Sequence, residues 1–197
     1  MELLKRAQER KETASLILEE LELLEKWNTI GQAYVVGATA YDLLVDQDID
    51  IETFCVRPNA AEAMSILANL TGNPKVIELK YRNYLETPFN GYYFKIQYEH
   101  APLEIWNIDM WLFSETRKGP LSRDLVSLMN DSLTIESRKY ILNIKEELLK
   151  KSIALPSIYV YEAVLDYDIR CIDDFLYWME KQDVGNQSHW RPSNNNK

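Results

Sequence analysis

Cysteine and histidine are scarce in this chain, with two of each in 197 residues. Zinc sites built from imidazole and thiolate need several such ligands at short spacing, and Cys55, Cys171, His100 and His189 show no such spacing. Two distant cysteines make no disulfide framework either, so the expectation is two buried thiols in a reducing compartment. No apolar run approaches the roughly 20 residues of a membrane span. The stretch Met1–Arg10 is charged throughout and lacks the apolar core of a signal peptide, so the expected location is cytoplasmic. Basic residues are also short: 22 Lys and Arg stand against 31 Asp and Glu, a net charge of −9. Coating a nucleic acid is largely phosphate neutralisation, and this balance argues against extended nucleic acid as a partner. Carboxylate and hydroxyl chemistry is what these shortages leave.

What is present is a globular composition, 46% hydrophobic and 27% charged, on a chain long enough to bury its own core. Apolar residues at helical spacing predict a long amphipathic helix over 3–27. A short apolar run at 33–36 reads as a buried strand. One or two helical turns follow over 39–45, then a strand at 48–56 and a helix at 60–70 that Asn59 can cap. Alternation predicts strands at 76–81 and 92–100, the latter paired as a hairpin with 103–108. Beyond Gly119-Pro120 every strong pattern is helical: 121–132, 135–151 with Thr134 as N-cap, and 158–181. The predicted organisation is an α+β domain over 1–113, a helical subdomain over 114–183, and a mobile tail over 184–197.

The densest chemistry lies in 34–52. Gly37 ends an apolar run, Ala38 and Thr39 follow, and eleven positions after Gly37 comes Asp48-Ile49-Asp50-Ile51. Strict alternation puts both carboxylates on one face of a strand and both isoleucines on the other. Two carboxylates on one face are a metal-site geometry that needs a third ligand. Glu104 and Asp109 are the rivals for that third place. They lie on opposite faces of one strand, so only one can point at Asp48.

This pattern resembles that of the nucleotidyltransferase fold superfamily, related to the DNA polymerase beta head domain. There an apolar residue and Gly are followed by Gly or Ser, then by Asp-apolar-Asp-apolar, then by a carboxylate on a later strand. Here Val36-Gly37, Asp48-Ile49-Asp50-Ile51 and Leu103-Glu104-Ile105-Trp106 carry the match, and Glu104 is preferred over Asp109 because its setting resembles the third motif. Ala38 departs from the pattern, with Thr39 as the next hydroxyl. The resemblance implies an α+β fold, a mixed sheet flanked by helices and followed by a helical subdomain. It implies transfer of a nucleotidyl group from a nucleoside triphosphate to a hydroxyl of a small molecule or protein. Two Mg2+ ions, or Mn2+ in their place, would be held by Asp48, Asp50 and Glu104, and Gly37, Ala38 and Thr39 would hold phosphate. The alternative it leaves open is an inactive nucleotide-binding or regulatory module, such as one half of a toxin–antitoxin pair. Arg57 and Lys95 read as solvated cations, with triphosphate contact as the alternative. Trp106 and Trp111 read as packing residues, with stacking on a base as the alternative, and the helical aromatics from Tyr159 to Trp178 read as packing, with the lining of an acceptor pocket as the alternative.

Overall fold

The computed structural model describes residues 2–183 and 188–193. Of the segment expected to be a mobile tail, 184–187 and 194–197 lie outside the described residues. The architecture is α+β, with a mixed five-stranded sheet flanked by helices. Two compact units divide the chain: Lys11–Ala40 with Asp46–Lys118, and Met1–Arg10 with Tyr41–Val45 and Gly119–Lys197.

The first unit holds the sheet. Its strands are β1 (Gln32–Val36), β2 (Asp48–Cys55), β3 (Val76–Asn83), β4 (Tyr92–Ala101) and β5 (Glu104–Ser114), in the order β1-β2-β5-β4-β3. Only β2 and β5 run parallel; the other neighbours are antiparallel. One sheet face is apolar, with Ile49, Ile51, Phe94, Ile96, Trp106, Ile108 and Met110 at 1% exposure or less. Helix α2 (Leu23–Trp27) and helix α4 (Ala60–Leu70) serve that core, the Trp27 ring meeting Phe94 edge-on at 5.5 Å. Asn59 caps α4 as expected, its side chain accepting from the amides of Ala61 and Glu62.

The predicted helix over 3–27 is interrupted. Helix α1 spans Glu2–Glu20, and α2 begins only after Glu22, whose φ of 49° places it in the left-handed region. Glutamate is a good helix former, so nothing in its identity announces the break. The helical run expected at 39–45 is also shorter. Helix α3 covers Gly37–Ala40 and stops before Asp42, which sits at φ 56°, a conformation that aspartate tolerates better than most residues.

The second unit is helical after residue 119: α5 (Arg123–Ser132), α6 (Ile135–Lys150), α7 (Ser157–Tyr167) and α8 (Ile172–Met179). Thr134 and Ser137 form a reciprocal capping box at the start of α6. The single helix expected over 158–181 splits at Asp168, in the left-handed region at φ 52°, with its carboxylate held by Arg170 at 2.9 and 3.0 Å. The segment Tyr41–Val45 belongs to this unit: Leu43 is fully buried, and the buried Lys145 ammonium donates to its carbonyl at 2.8 Å. Arg138 likewise donates to the Tyr41 carbonyl. The thiols differ from expectation, since Cys55 and Cys171 are half-buried rather than buried.

Candidate functional site

The parallel pairing of β2 with β5 decides which acids meet. In register, Asp50 stands opposite Asp109 and Asp48 opposite Asn107. Residues 107, 109 and 111 therefore share a face with 48, 50 and 52, while 104, 106 and 108 share the buried face with 49 and 51. Asp48, Asp50 and Asp109, all half-buried, each offer a carboxylate oxygen, and these oxygens lie within 4.8 Å of one another. Asp109 and not Glu104 joins the two strand acids. Glu104 sits at the β5 entry opposite Ala101, where it accepts a hydrogen bond from Trp106 Nε1 at 3.0 Å. The preference for Glu104 is thus corrected by the β2–β5 register: parity allows only one of Glu104 and Asp109 on the carboxylate face, and the pairing of Asp50 with Asp109 makes it Asp109.

The third carboxylate is held by Tyr93, which the sequence did not single out, and by Lys95, which was expected to be a solvated cation and is instead half-buried and paired with it. The Tyr93 phenol donates to Asp109 Oδ1 at 2.5 Å, and Lys95 Nζ lies 3.4 Å from the same oxygen. Both are next to Asp109 in the sheet, since Lys95 pairs with Asp109 and Tyr93 with Trp111 across β4–β5. Burial and then the Asp109 hydrogen bond, with the Asp109 and Asp48 charges nearby, push the Tyr93 phenol well above the ordinary value. It therefore remains a donor throughout the physiological range. The signal for Tyr93 was present as its alternation with Lys95 along β4, but it needed the β4–β5 register to become meaningful.

The glycine turn touches the acids directly. Gly37 has φ +62°, and a Cβ built there would stand 2.2 Å from Asp50 Oδ2. The missing side chain is what leaves room for that carboxylate. The next residues are arranged otherwise than expected. Thr39 is 4% exposed, and its hydroxyl donates to the Asp48 carbonyl at 3.3 Å. It ties the turn to the start of β2 instead of presenting its oxygen outward. Ala38 lies between, half-buried. Arg57 is exposed beyond the end of β2. Trp106 is core, whereas Trp111 is half-exposed on the carboxylate face.

Three carboxylates of this spacing, with no histidine or thiolate among them, are a donor set for a hard divalent cation, and Mg2+ fits it. No protein-family profile matches the chain, and no curated protein does. Solved structures do match. Cid1 poly(U) polymerase, in a mutant bound to MgATP, aligns at TM-score 0.61 and 16% identity over 86% of this chain and 56% of its own. The same polymerase with MgGTP gives 0.61 and 16% over 85% and 56%. A cytoplasmic RNA terminal U-transferase gives 0.59 and 16% over 84% and 54%. The chain thus spans about half the length of the solved structures it matches. It has the nucleotidyltransferase fold.

Proposed function

We propose that this nucleotidyltransferase-fold chain binds a nucleoside triphosphate with Mg2+ and transfers its nucleotidyl group to a hydroxyl acceptor. The observation that carries the reading is the convergence of Asp48, Asp50 and Asp109 beside a glycine turn whose Gly37 leaves room for the Asp50 carboxylate. The solved structures with this fold that bind MgATP and MgGTP support it. Two metal ions, when bound, neutralise phosphate charge and favour the attacking alkoxide. Asp48, Asp50 and Asp109 are the residues that would hold them. In the reaction the acceptor oxygen bonds to the α-phosphorus, the α–β bridge bond breaks, and pyrophosphate leaves with its electron pair.

The chain's own part is positioning. Asp109 is fixed in place by the Tyr93 phenol and the Lys95 ammonium, so its lone pairs meet the reacting groups without a search through rotamers. The acceptor proton passes to one of the three carboxylates or to water. The backbone amides of Gly37 and Ala38 remain the candidate phosphate donors. For Thr39 a phosphate contact would require its hydroxyl to leave the Asp48 carbonyl. The neighbour that is an RNA terminal U-transferase does not fit the expectation that the charge balance argues against extended nucleic acid as a partner.

Calorimetric titration of folded protein with each of the common triphosphates tests this, with and without Mg2+. Binding that requires Mg2+ and disappears in Asp50→Asn is the expected result. Wild-type protein that is folded and binds none of them with Mg2+ present removes the proposal. The second reading, an inactive nucleotide-binding module, draws on Ala38 where the family pattern has Gly or Ser. Triphosphate binding that persists without metal and in Asp48→Asn would favour it.

A further inference from the structure

The carboxylate face does not end at Asp109. Across β3, β4 and β5 the in-register rows are Lys80–Lys95–Asp109 and Arg82–Tyr93–Trp111, so these side chains stand on the same face as the acids. Trp111 is the hub of an aromatic cluster: Tyr93 at 5.1 Å, Tyr84 at 5.6 Å, Phe89 stacked at 5.3 Å and Phe113 stacked at 5.4 Å. A cavity of about 270 Å³ opens here, lined by Lys80, Arg82, Tyr84, Phe89, Tyr93, Lys95 and Trp111. Among the described residues that line it are three cations, four aromatic rings and no acid, in a chain whose net charge is −9; Lys80 is paired at 3.4 Å with Glu78.

Core packing accounts poorly for this cluster. Rings that only fill a core are buried and lack cationic neighbours, yet Tyr84, Tyr93 and Trp111 are half-exposed and Phe89 is 42% exposed. Half-exposed rings on a sheet with interleaved Lys and Arg match the requirements of unpaired bases, which stack on aromatic faces while cations follow the phosphates. The cavity falls just below the ≈ 300–1,000 Å³ range of drug-sized sites, which favours one base over a larger ligand. Its wall is continuous with the reacting site, because Tyr93 and Lys95 both line it and both contact Asp109. It also lies on the β4–β3 side of Asp109, while the glycine turn follows β1 at the other end of the strand order. Donor phosphate and cavity therefore flank the carboxylates from opposite sides. β3 is an edge strand, so a chain leaving the cavity passes Lys80 and Arg82 into solvent.

We infer that this cavity seats the terminal nucleotide of a single-stranded nucleic acid, its base on the Trp111 cluster and its phosphates toward Lys80 and Arg82. Calling that strand the acceptor rests on the nucleotidyl-transfer reading; the binding site itself does not.

The test is fluorescence anisotropy of labelled single-stranded RNA and DNA of about 12 nucleotides, within the ~4–16 span of single-strand sites. It is run in EDTA, with Mg–triphosphate calorimetry on the same preparation. Saturable binding is expected, weakening about 2.6-fold per doubling of salt if two phosphates are neutralised. Trp111→Ala should weaken it by about 5- to 150-fold, the range for loss of one stacked base, while Trp111→Phe retains most of it. Since Trp111→Ala can disturb its ring neighbours, the Lys80→Gln/Arg82→Gln double variant provides the second arm. It should lower affinity and flatten the salt dependence with an unchanged melting curve. A preference between the RNA and DNA arms assigns the sugar. No binding by folded wild-type protein, binding indifferent to both sets of variants, or a mononucleotide bound as tightly as the oligonucleotide would each overturn the inference. Transfer to a polypeptide with no oligonucleotide binding would overturn it too. Oligonucleotide binding without Mg–triphosphate binding leaves the site standing and removes the transfer reading; the reverse result does the opposite.

Discussion

Replacing Gly37 by alanine separates the backbone of the glycine turn from its chemistry. The residue sits at φ +62°, where an L side chain costs about 1–2 kcal/mol. For a chain of this size that corresponds to a melting temperature lower by about 2–8 °C. The second effect is local. The new Cβ would stand 2.2 Å from Asp50 Oδ2, 3.1 Å from its Cγ and 3.3 Å from its Cβ. The carboxylate is the end of a short side chain, so the fold survives while the oxygen retreats by about 1 Å to regain ordinary contact. A displacement of ~1 Å in a reacting constellation is enough for about a 10²-fold loss of rate. Gly119→Ala is the control, since Gly119 also has positive φ, +128°, but its Cβ would meet nothing within 4 Å. Thermal melts, Mg2+ titration and turnover on both variants give the comparison. Both should lose stability, and only Gly37→Ala should lose Mg2+ affinity and turnover. A Gly37→Ala protein with wild-type Mg2+ affinity would refute the claim that this turn makes room for a metal-binding carboxylate.

Asp109→Asn should abolish Mg2+-dependent triphosphate binding or turnover by at least about 10²-fold, the loss of a direct ligand exceeding the 10–100-fold typical of outer-shell partners. Glu104→Gln should leave both unchanged, because its carboxylate is engaged by Trp106 on the other face; calorimetry on the pair decides. Burial, with Asp166 four residues on, raises the Glu162 carboxyl above its ordinary value. The folded state then resists an ionisation that the unfolded state undergoes. The stability tied to this group is intact below the ordinary carboxylate pKa of about 4.3 and is lost as pH rises through the raised folded value. Glu162→Gln should therefore be more stable than wild type at pH 7 and no more stable in acid, as urea melts at the two pH values would show. Asn59→Ala removes the acceptor for two first-turn amides of α4 and should destabilise by about 1 kcal/mol in the same melts.

Much of this molecule was written locally. The strand β2 announces itself by Asp-Ile-Asp-Ile, the α4 start by Asn59, and the α6 start by Thr134, because period-two alternation and side-chain caps depend on residues within one or two turns. The breaks at Glu22, Asp42 and Asp168 were not legible. Each is a single residue with positive φ, and none is a glycine. Its conformation is selected by what the flanking helices pack against, and tertiary packing overrides propensity.

The candidate site divides the same way. That Asp48 and Asp50 share a face follows from the sequence alone, and so does the statement that Glu104 and Asp109 cannot both join them. Which of the two does so was decided by the register of β5 against β2, a pairing between segments more than fifty residues apart. A slip of one residue would have turned every β5 side chain over and brought Glu104's face toward the acids. The antiparallel register of β4 against β5 in turn placed Tyr93 and Lys95 beside Asp109 and Trp111, joining an aromatic and cationic surface to the carboxylates although the overall composition is acidic. Alternation along a strand is a local property of the chain, whereas the meeting of two strands is fixed only by the core that both must bury.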